Sequence, residues 1–334
     1  MMAIVEHLGV PTWAAKINVR LDAETLVVLG EGRKAMPVPA GQLTLGEDML
    51  RQYTEYSRQW SEGRTGKRSP HIQFANASND DELVAFVRRF GPIQADGSLM
   101  ERPNGMIMAR QDLPGLRRDH LMFKGAMKLV VGLGDDDSKE VNGIADGLTE
   151  MFRAALEPGP TSEIHTAPEF RSCQWYGNTI LRFANSLLVQ GGPVLAPGQI
   201  HLQSIGDLHS MEAIRVRRIG QLGLAVLLNS FAPELVPVGN RMMELPVYDP
   251  CRILPVLYFM LRQDVLRKQA IAICERPECG AFFAVERAGS RFCSPECSQL
   301  QRQRDYWQRK GKEARAVRVA RKRKMKGGKK RGTI

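Results

Sequence analysis

Four cysteines within 24 residues constrain this 334-residue chain more than any other feature. Cys274, Cys279, Cys293 and Cys297 stand in the pattern C-x4-C, a gap of thirteen, then C-x3-C. Two close pairs joined by a hairpin-length spacer can converge on one tetrahedral ion, with metal–sulfur distances of about 2.3 Å. The last histidine is His209, so a local site must be all-thiolate. The expected occupant is one structural Zn2+, because four thiolates leave no open position for water or substrate.

The residues between the ligands suggest how the chain delivers them. Gly280 follows the second cysteine, where a tight knuckle needs positive φ. Phe282, Phe283 and Val285 have the bulk of a short strand. Ala288-Gly289-Ser290 is expected to turn the chain, and Arg291-Phe292 to return it to the second pair. Ser294-Pro295-Glu296 reads as a helix start, with Ser at the N-cap, Pro at the first helical position and an acid in the first turn. Cys297 then falls where free backbone N–H groups and the positive helix end favour a thiolate. Knuckle, hairpin and ligand-bearing helix make the layout of a treble-clef zinc finger.

On these residues the stretch resembles the CGNR-type zinc fingers of bacterial stress-induced transcription regulators. The resemblance rests on Cys274-x4-Cys279-Gly280, Phe282-Phe283, Arg291-Phe292-Cys293-Ser294, and Cys297 entering a basic helix. It spans roughly fifty residues, with a weaker echo from Phe74-Ala75-Asn76 through Asp80-Asp81-Glu82-Leu83 to Phe90-Gly91-Pro92. There are two departures. Ser298-Gln299-Leu300 replaces the family's Gly-Asn-Arg, and the last cysteine pair is one residue closer. The resemblance implies a DNA-binding regulator with an N-terminal sensing or oligomerising body.

The charge distribution points to the same end of the chain. The net charge is +11, yet from residue 291 onward there are 16 Lys/Arg against three acids. Residues 1–290 carry 31 against 33, a near-neutral body with a strongly basic tail. Such asymmetry suits a polyanion, since each neutralised phosphate releases a condensed counterion. A basic helix held by a zinc knuckle can enter a major groove or track a phosphate backbone. The candidate nucleic-acid contacts are Arg291, Arg302, Arg304, Arg309, Lys310, Lys312, Arg315, Arg318 and Arg321. Leu300, Trp307 and Ala314 recur every seven residues and are expected to face the zinc hairpin or the body, with Gly311 a weak point. Beyond Ala320, clustered like charge and adjacent glycines predict disorder.

DNA is the favoured partner, and structured RNA gripped by shape is the alternative. A homodimer and a small-molecule ligand in the body stay open. Cys173 and Cys251 are too few and scattered for a disulfide framework, which suggests a reducing compartment. The N-terminus lacks the basic and apolar regions of a signal peptide. The most apolar run, residues 253–261, is far shorter than the roughly 20 residues a bilayer requires. Together these indicate a cytoplasmic protein without a membrane partner.

No catalytic residue is nominated, and an enzyme is not expected. Gly132-Leu133-Gly134 before three aspartates lacks the third Gly of a dinucleotide fingerprint and the Gly-Lys of a P-loop. Glu163 and His165, with His201 and His209, form no His-Glu-x-x-His pattern. Trp175, Tyr176 and Phe183 read as core.

The fold class is α+β. A mixed N-terminal region (1–119) precedes a mainly helical one (120–269), which share a domain or form two. The four-cysteine zinc finger with its basic helix follows (270–320), then the basic tail (321–334). Residues 13–30 suggest two strands around Asp22-Ala23-Glu24 and 47–60 a polar helix. Residues 71–74 suggest a strand, 80–90 a capped helix and 93–119 an irregular connection. Helices are expected over 120–131, 141–156, 178–188, 210–228 and 250–268, with 193–202 a strand or loop.

Overall fold

The computed structural model describes residues 5–6, 12–22, 25–33, 51–55, 69–94, 96–101, 106–134, 141–156, 213–230, 234–238, 241–245, 247–248, 253–285 and 289–328. These form mixed helix and small sheets, divided into two compact units. One takes in Met1–Ile271 with Ala284–Glu286, the other Ala272–Phe283 with Arg287–Ile334.

In the first unit, strands Thr12–Asp22, Thr25–Arg33, Met106–Asp112 and Asp96–Glu101 lie side by side, in that order, in an antiparallel sheet. Val19 opposes Val28, and Val28 opposes Ala109. Leu26 and Val28 are buried while Thr25 and Val27 are half-exposed, the period-two alternation of a sheet with one covered face. The pair of strands around residues 22–24 matches the sequence expectation. The irregular connection over 93–119 does not, because two strands and the start of a helix occupy it. Its Gly and Pro residues obscured a hairpin of Asp96–Glu101 with Met106–Asp112, whose second strand is received by Thr25–Arg33, some 80 positions earlier. Local pattern cannot register that.

Helix Asp80–Phe90 forms where the caps and periodicity place it. Asn79 accepts the Glu82 N–H at 3.0 Å, and the Glu82 carboxylate accepts from the Ser78 N–H at 2.7 Å. Leu83, Val84, Phe86, Val87 and Phe90 are its buried residues. Residues 71–74 belong to helix Pro70–Ala75 rather than a strand. Pro70 presets the helical φ at the first position, and packing of Phe74 outweighs the β preference of Ile72 and Phe74. Phe74 lies 5.1 Å from Phe86 and 5.6 Å from Phe123, and Phe123 lies 5.0 Å from Tyr258 (ring centroids). This aromatic chain joins four helices: the two just described, Leu113–Gly134, and Leu254–Leu266.

Helix Leu113–Gly134 lies against Val141–Leu156, which has the predicted bounds. A Cβ on Gly125 would sit 2.7 Å from the Gly147 carbonyl oxygen, so the two backbones nearly touch. Ala213–Ser230 packs on both. Gly132-Leu133-Gly134 closes a helix and is not a nucleotide loop. Among the described residues no helix is long and apolar enough to cross a membrane. The expectations for 178–188 and 193–202 lie outside the described residues, as do Glu163, His165, Cys173, Trp175, Tyr176, Phe183, His201, His209 and Cys251.

Candidate metal centre and basic helix

Strands Ile271–Ile273 and Phe282–Ala284 pair with each other and bracket the first two cysteines. The Cys274 N–H donates to the Ala281 carbonyl at 2.8 Å, and the Cys279 N–H to the Arg276 carbonyl at 2.9 Å, closing a tight knuckle. Gly280 sits at φ 57° at the exit, in the left-handed region that its lack of a Cβ permits. Gly289 reverses the chain at φ 84°. Arg291-Phe292 leads back to the second cysteine pair without forming a strand, and the Glu275 N–H ties it to the first knuckle by donating to the Arg291 carbonyl at 3.0 Å.

The last ligand sits at a helix start formed by the predicted residues. Helix Pro295–Gly328 begins after Ser294, whose hydroxyl accepts the Cys297 N–H at 3.2 Å. Cys297 therefore occupies the first turn, where the helix dipole favours negative charge.

All four sulfurs lie within 4.8 Å of one another. Cys279 Sγ is 3.6 Å from Cys293 Sγ, which is 3.6 Å from Cys297 Sγ. Ligands about 2.3 Å from a tetrahedral centre are separated by about 3.8 Å, so this arrangement can hold a metal ion. The separations are far beyond a disulfide bond of roughly 2 Å, and all four are free thiols.

Burial and mutual contact shift the thiols of the cluster in opposite directions. Burial raises the Cys293 and Cys279 thiols, and the neighbouring thiols add to this at Cys293. Burial also opposes ionisation of Cys297, but hydrogen bonds from Cys293, Ser294, Cys279 and Arg276 bring it down to about 7. Four converging cysteine sulfurs, deprotonated on metal binding, are the donor set that a soft or borderline divalent ion stabilises.

Side chains that the sequence reading did not single out hold the cluster together. The Arg276 guanidinium lies 3.6 Å from Cys297 Sγ and 3.4 Å from Glu278. Glu278 also pairs with Arg304 on the long helix. Glu275 accepts from Arg291 Nε at 2.7 Å. The first knuckle is thus tied to both later segments by charge-assisted bonds, the arrangement by which outer residues orient metal ligands. The only signal in the sequence is the acid–base alternation inside Cys274-Glu-Arg-Pro-Glu-Cys279.

The candidate nucleic-acid contacts fall into two groups. Arg291 and Arg304 are engaged by Glu275 and Glu278. Arg302, Arg309, Lys310, Lys312, Arg315 and Arg318 are exposed along the helix, and Arg321 lies further along it. Arg302 and Arg309 reach only weakly, at 3.4 Å, toward the Ser298 and Asp305 carbonyls. Lys310 lies 3.9 Å from Glu313.

The helix passes straight through Gly311 and ends at Gly328, beyond the point where disorder is predicted. No proline interrupts 296–328, and once a helix is nucleated each added residue gains a hydrogen bond. Residues 329–334 lie outside the described residues. The apolar repeat is not covered as expected, since Leu300 is 46 % and Trp307 63 % exposed and Ala314 is also exposed. The cysteine knuckle is too small to cover a helix of about 50 Å.

A second polar constellation was invisible in the sequence. Ser69 Oγ lies 2.7 Å from His71 Nδ1, and His71 Nε2 lies 2.9 Å from Asp264, whose other oxygen accepts from the Tyr53 hydroxyl at 2.8 Å. Ser, His and Asp in one chain of contacts have the composition of a nucleophilic triad. Here, however, Ser69, His71 and Asp264 are all fully buried, which closes the hydroxyl to a substrate. Its residues come from three distant segments.

No protein-family model, no curated protein and no solved structure matches this chain.

Proposed function

We propose that this is a zinc-dependent nucleic-acid-binding protein, whose treble-clef-like finger holds the start of a long basic helix. The observation that carries the proposal is the helix itself. Every residue from Arg302 to Ala320 is exposed, with seven Lys/Arg against two acids over that stretch. The finger makes the helix start rigid, and the cations give it affinity for phosphates. Zinc suits the four-thiolate donor set, and with no open ligand position its role is structural.

The resemblance of the finger makes a DNA-binding transcriptional regulator the first form of this reading. The body then senses a signal or oligomerises, and the cytoplasm is its compartment. One observation favours the second form, binding to structured RNA. At 100° per residue, the exposed Lys312, Arg309, Lys310 and Arg318 point to four different sides of the helix. A duplex groove neutralises the inward side and flanks of a helix, whereas folded RNA can surround it with phosphate.

The test is binding of the metal-loaded full chain to duplex DNA and to folded RNA from low to physiological salt. A steep salt slope with binding retained at physiological salt supports the reading, and the better competitor identifies its form. Absence of binding to both would remove it.

A further inference from the structure

We propose that Tyr306 and Trp307 form a stacking site for unpaired bases of a folded RNA, flanked by Arg309 and Lys310 for its phosphates. The inference rests on the nucleic-acid reading and takes its RNA form.

Trp307 is 63 % and Tyr306 49 % exposed, on a stretch of helix whose neighbours are all exposed. Their rings meet edge to face, with centroids 5.5 Å apart and planes at 76°, so the pair offers two differently oriented aromatic faces. Lys310 Nζ lies 5.9 Å from the Tyr306 ring centroid, placing a cation beside that face. Trp307 shares its side of the helix with Leu300, Gly311 and Ala314. A Cβ built on Gly311 meets nothing within 4 Å, so the surface one turn beyond the indole is open.

Charge and shape together decide what fits. A second copy of the chain would bring a helix of like charge to the same surface. The partner must instead be anionic and carry flat apolar groups. The outside of an intact duplex offers phosphate and sugar, with its base faces hidden in the stack. Unpaired nucleotides in an RNA loop or bulge expose those faces, and aromatic side chains or Arg planes are what they stack on. The RNA around such a loop also supplies phosphates on several sides, matching the distribution of cations around the helix.

The test uses the full metal-loaded chain and three labelled probes: an RNA hairpin with an unpaired loop, the same stem as a blunt RNA duplex, and a DNA duplex of equal length. The variants are Trp307→Ala, Trp307→Phe and the double substitution Arg309→Gln/Lys310→Gln, each checked for unchanged metal content and helicity. The expected result is that Trp307→Ala weakens hairpin binding about ten- to a hundredfold. The salt slope should stay unchanged, because stacking releases no counterions. Trp307→Phe should keep most of the affinity, and binding to the blunt duplexes should barely change. The double substitution should weaken all probes and flatten the salt slope.

Equal effects of Trp307→Ala on all three probes, or none on any, would overturn the stacking site. So would a wild-type preference for the DNA duplex over the hairpin. If the double substitution still weakened binding in those cases, the nucleic-acid reading would survive alone. Failure of the wild-type chain to bind any probe would remove both.

Discussion

The Tyr53 hydroxyl donates to Asp264 at 2.8 Å across 211 residues of sequence, inside a core where both side chains are enclosed. Asp264 also lies 2.9 Å from His71, so one carboxylate ties the segment at residues 51–55 to helices Pro70–Ala75 and Leu254–Leu266. Truncating it takes an acceptor from the buried Tyr53 hydroxyl and removes the carboxylate that faces buried His71. Asp264→Ala should destabilise the body by about 3 kcal/mol, and Tyr53→Phe, which removes a hydroxyl shared between Asp264 at 2.8 Å and the Met260 carbonyl at 3.3 Å, by about 1 kcal/mol. Chemical denaturation of the two variants and the double variant should reveal non-additivity, since the residues share a bond.

His120 sets an acid limit on the same core. Burial, with a smaller contribution from Lys124, holds it down to about 4 from 6.5, against hydrogen bonds to the Ala75 and Phe74 backbone. A depressed histidine means that the unfolded chain binds the extra proton between these values, so stability falls as pH falls through that window. The loss should reach about 3 kcal/mol between pH 7 and pH 4 for a shift from 6.5 to about 4. His120→Asn should flatten this part of the stability profile, measured by urea unfolding at a series of pH values.

The metal cluster should behave as a separate folding element. Chelation should expose the segments around Cys274–Cys297 to protease while the helical body stays resistant, because the ion supplies the folding energy of so small a unit. Replacing any one cysteine with serine should lower metal content in the same way. Unchanged protease resistance of the C-terminal region after metal removal would falsify a structural role for the ion.

Gly280 gives a sharper probe of the knuckle. Its φ is 57° and an added Cβ would meet no neighbour, so Gly280→Ala tests backbone strain alone. The expected cost is about 1 kcal/mol, appearing as a metal affinity about fivefold lower in a competition titration with a chromophoric chelator.

Glu278 restrains Arg304, a candidate phosphate contact, through an exposed ion pair. Glu278→Gln should free that guanidinium. Affinity for nucleic acid should rise for all sequences alike, and the salt slope should steepen by about one. A weaker complex would mean that the Glu278–Arg304 tie positions the helix and that this outweighs the charge it removes.

The sequence by itself determined whatever depends on near neighbours. The Asn79 and Ser294 caps, Pro295 at the helix start, and Gly280 and Gly289 at positive φ all follow from local sterics and orphan backbone groups. The four cysteines carry their own geometric demand, so the candidate site was legible from spacing alone. Tertiary structure decided the rest. Met106–Asp112 becomes a strand because Thr25–Arg33 offers it an edge, and residues 71–74 become helical because Phe74 packs among Phe86 and Phe123. The Ser69–His71–Asp264–Tyr53 cluster exists only once distant segments meet. Whether Leu300 and Trp307 are core or surface also depended on the size of the finger beneath them. Periodicity shows which residues share a face of a helix. Only the fold determines whether anything covers that face, since burial is a property of the assembled chain.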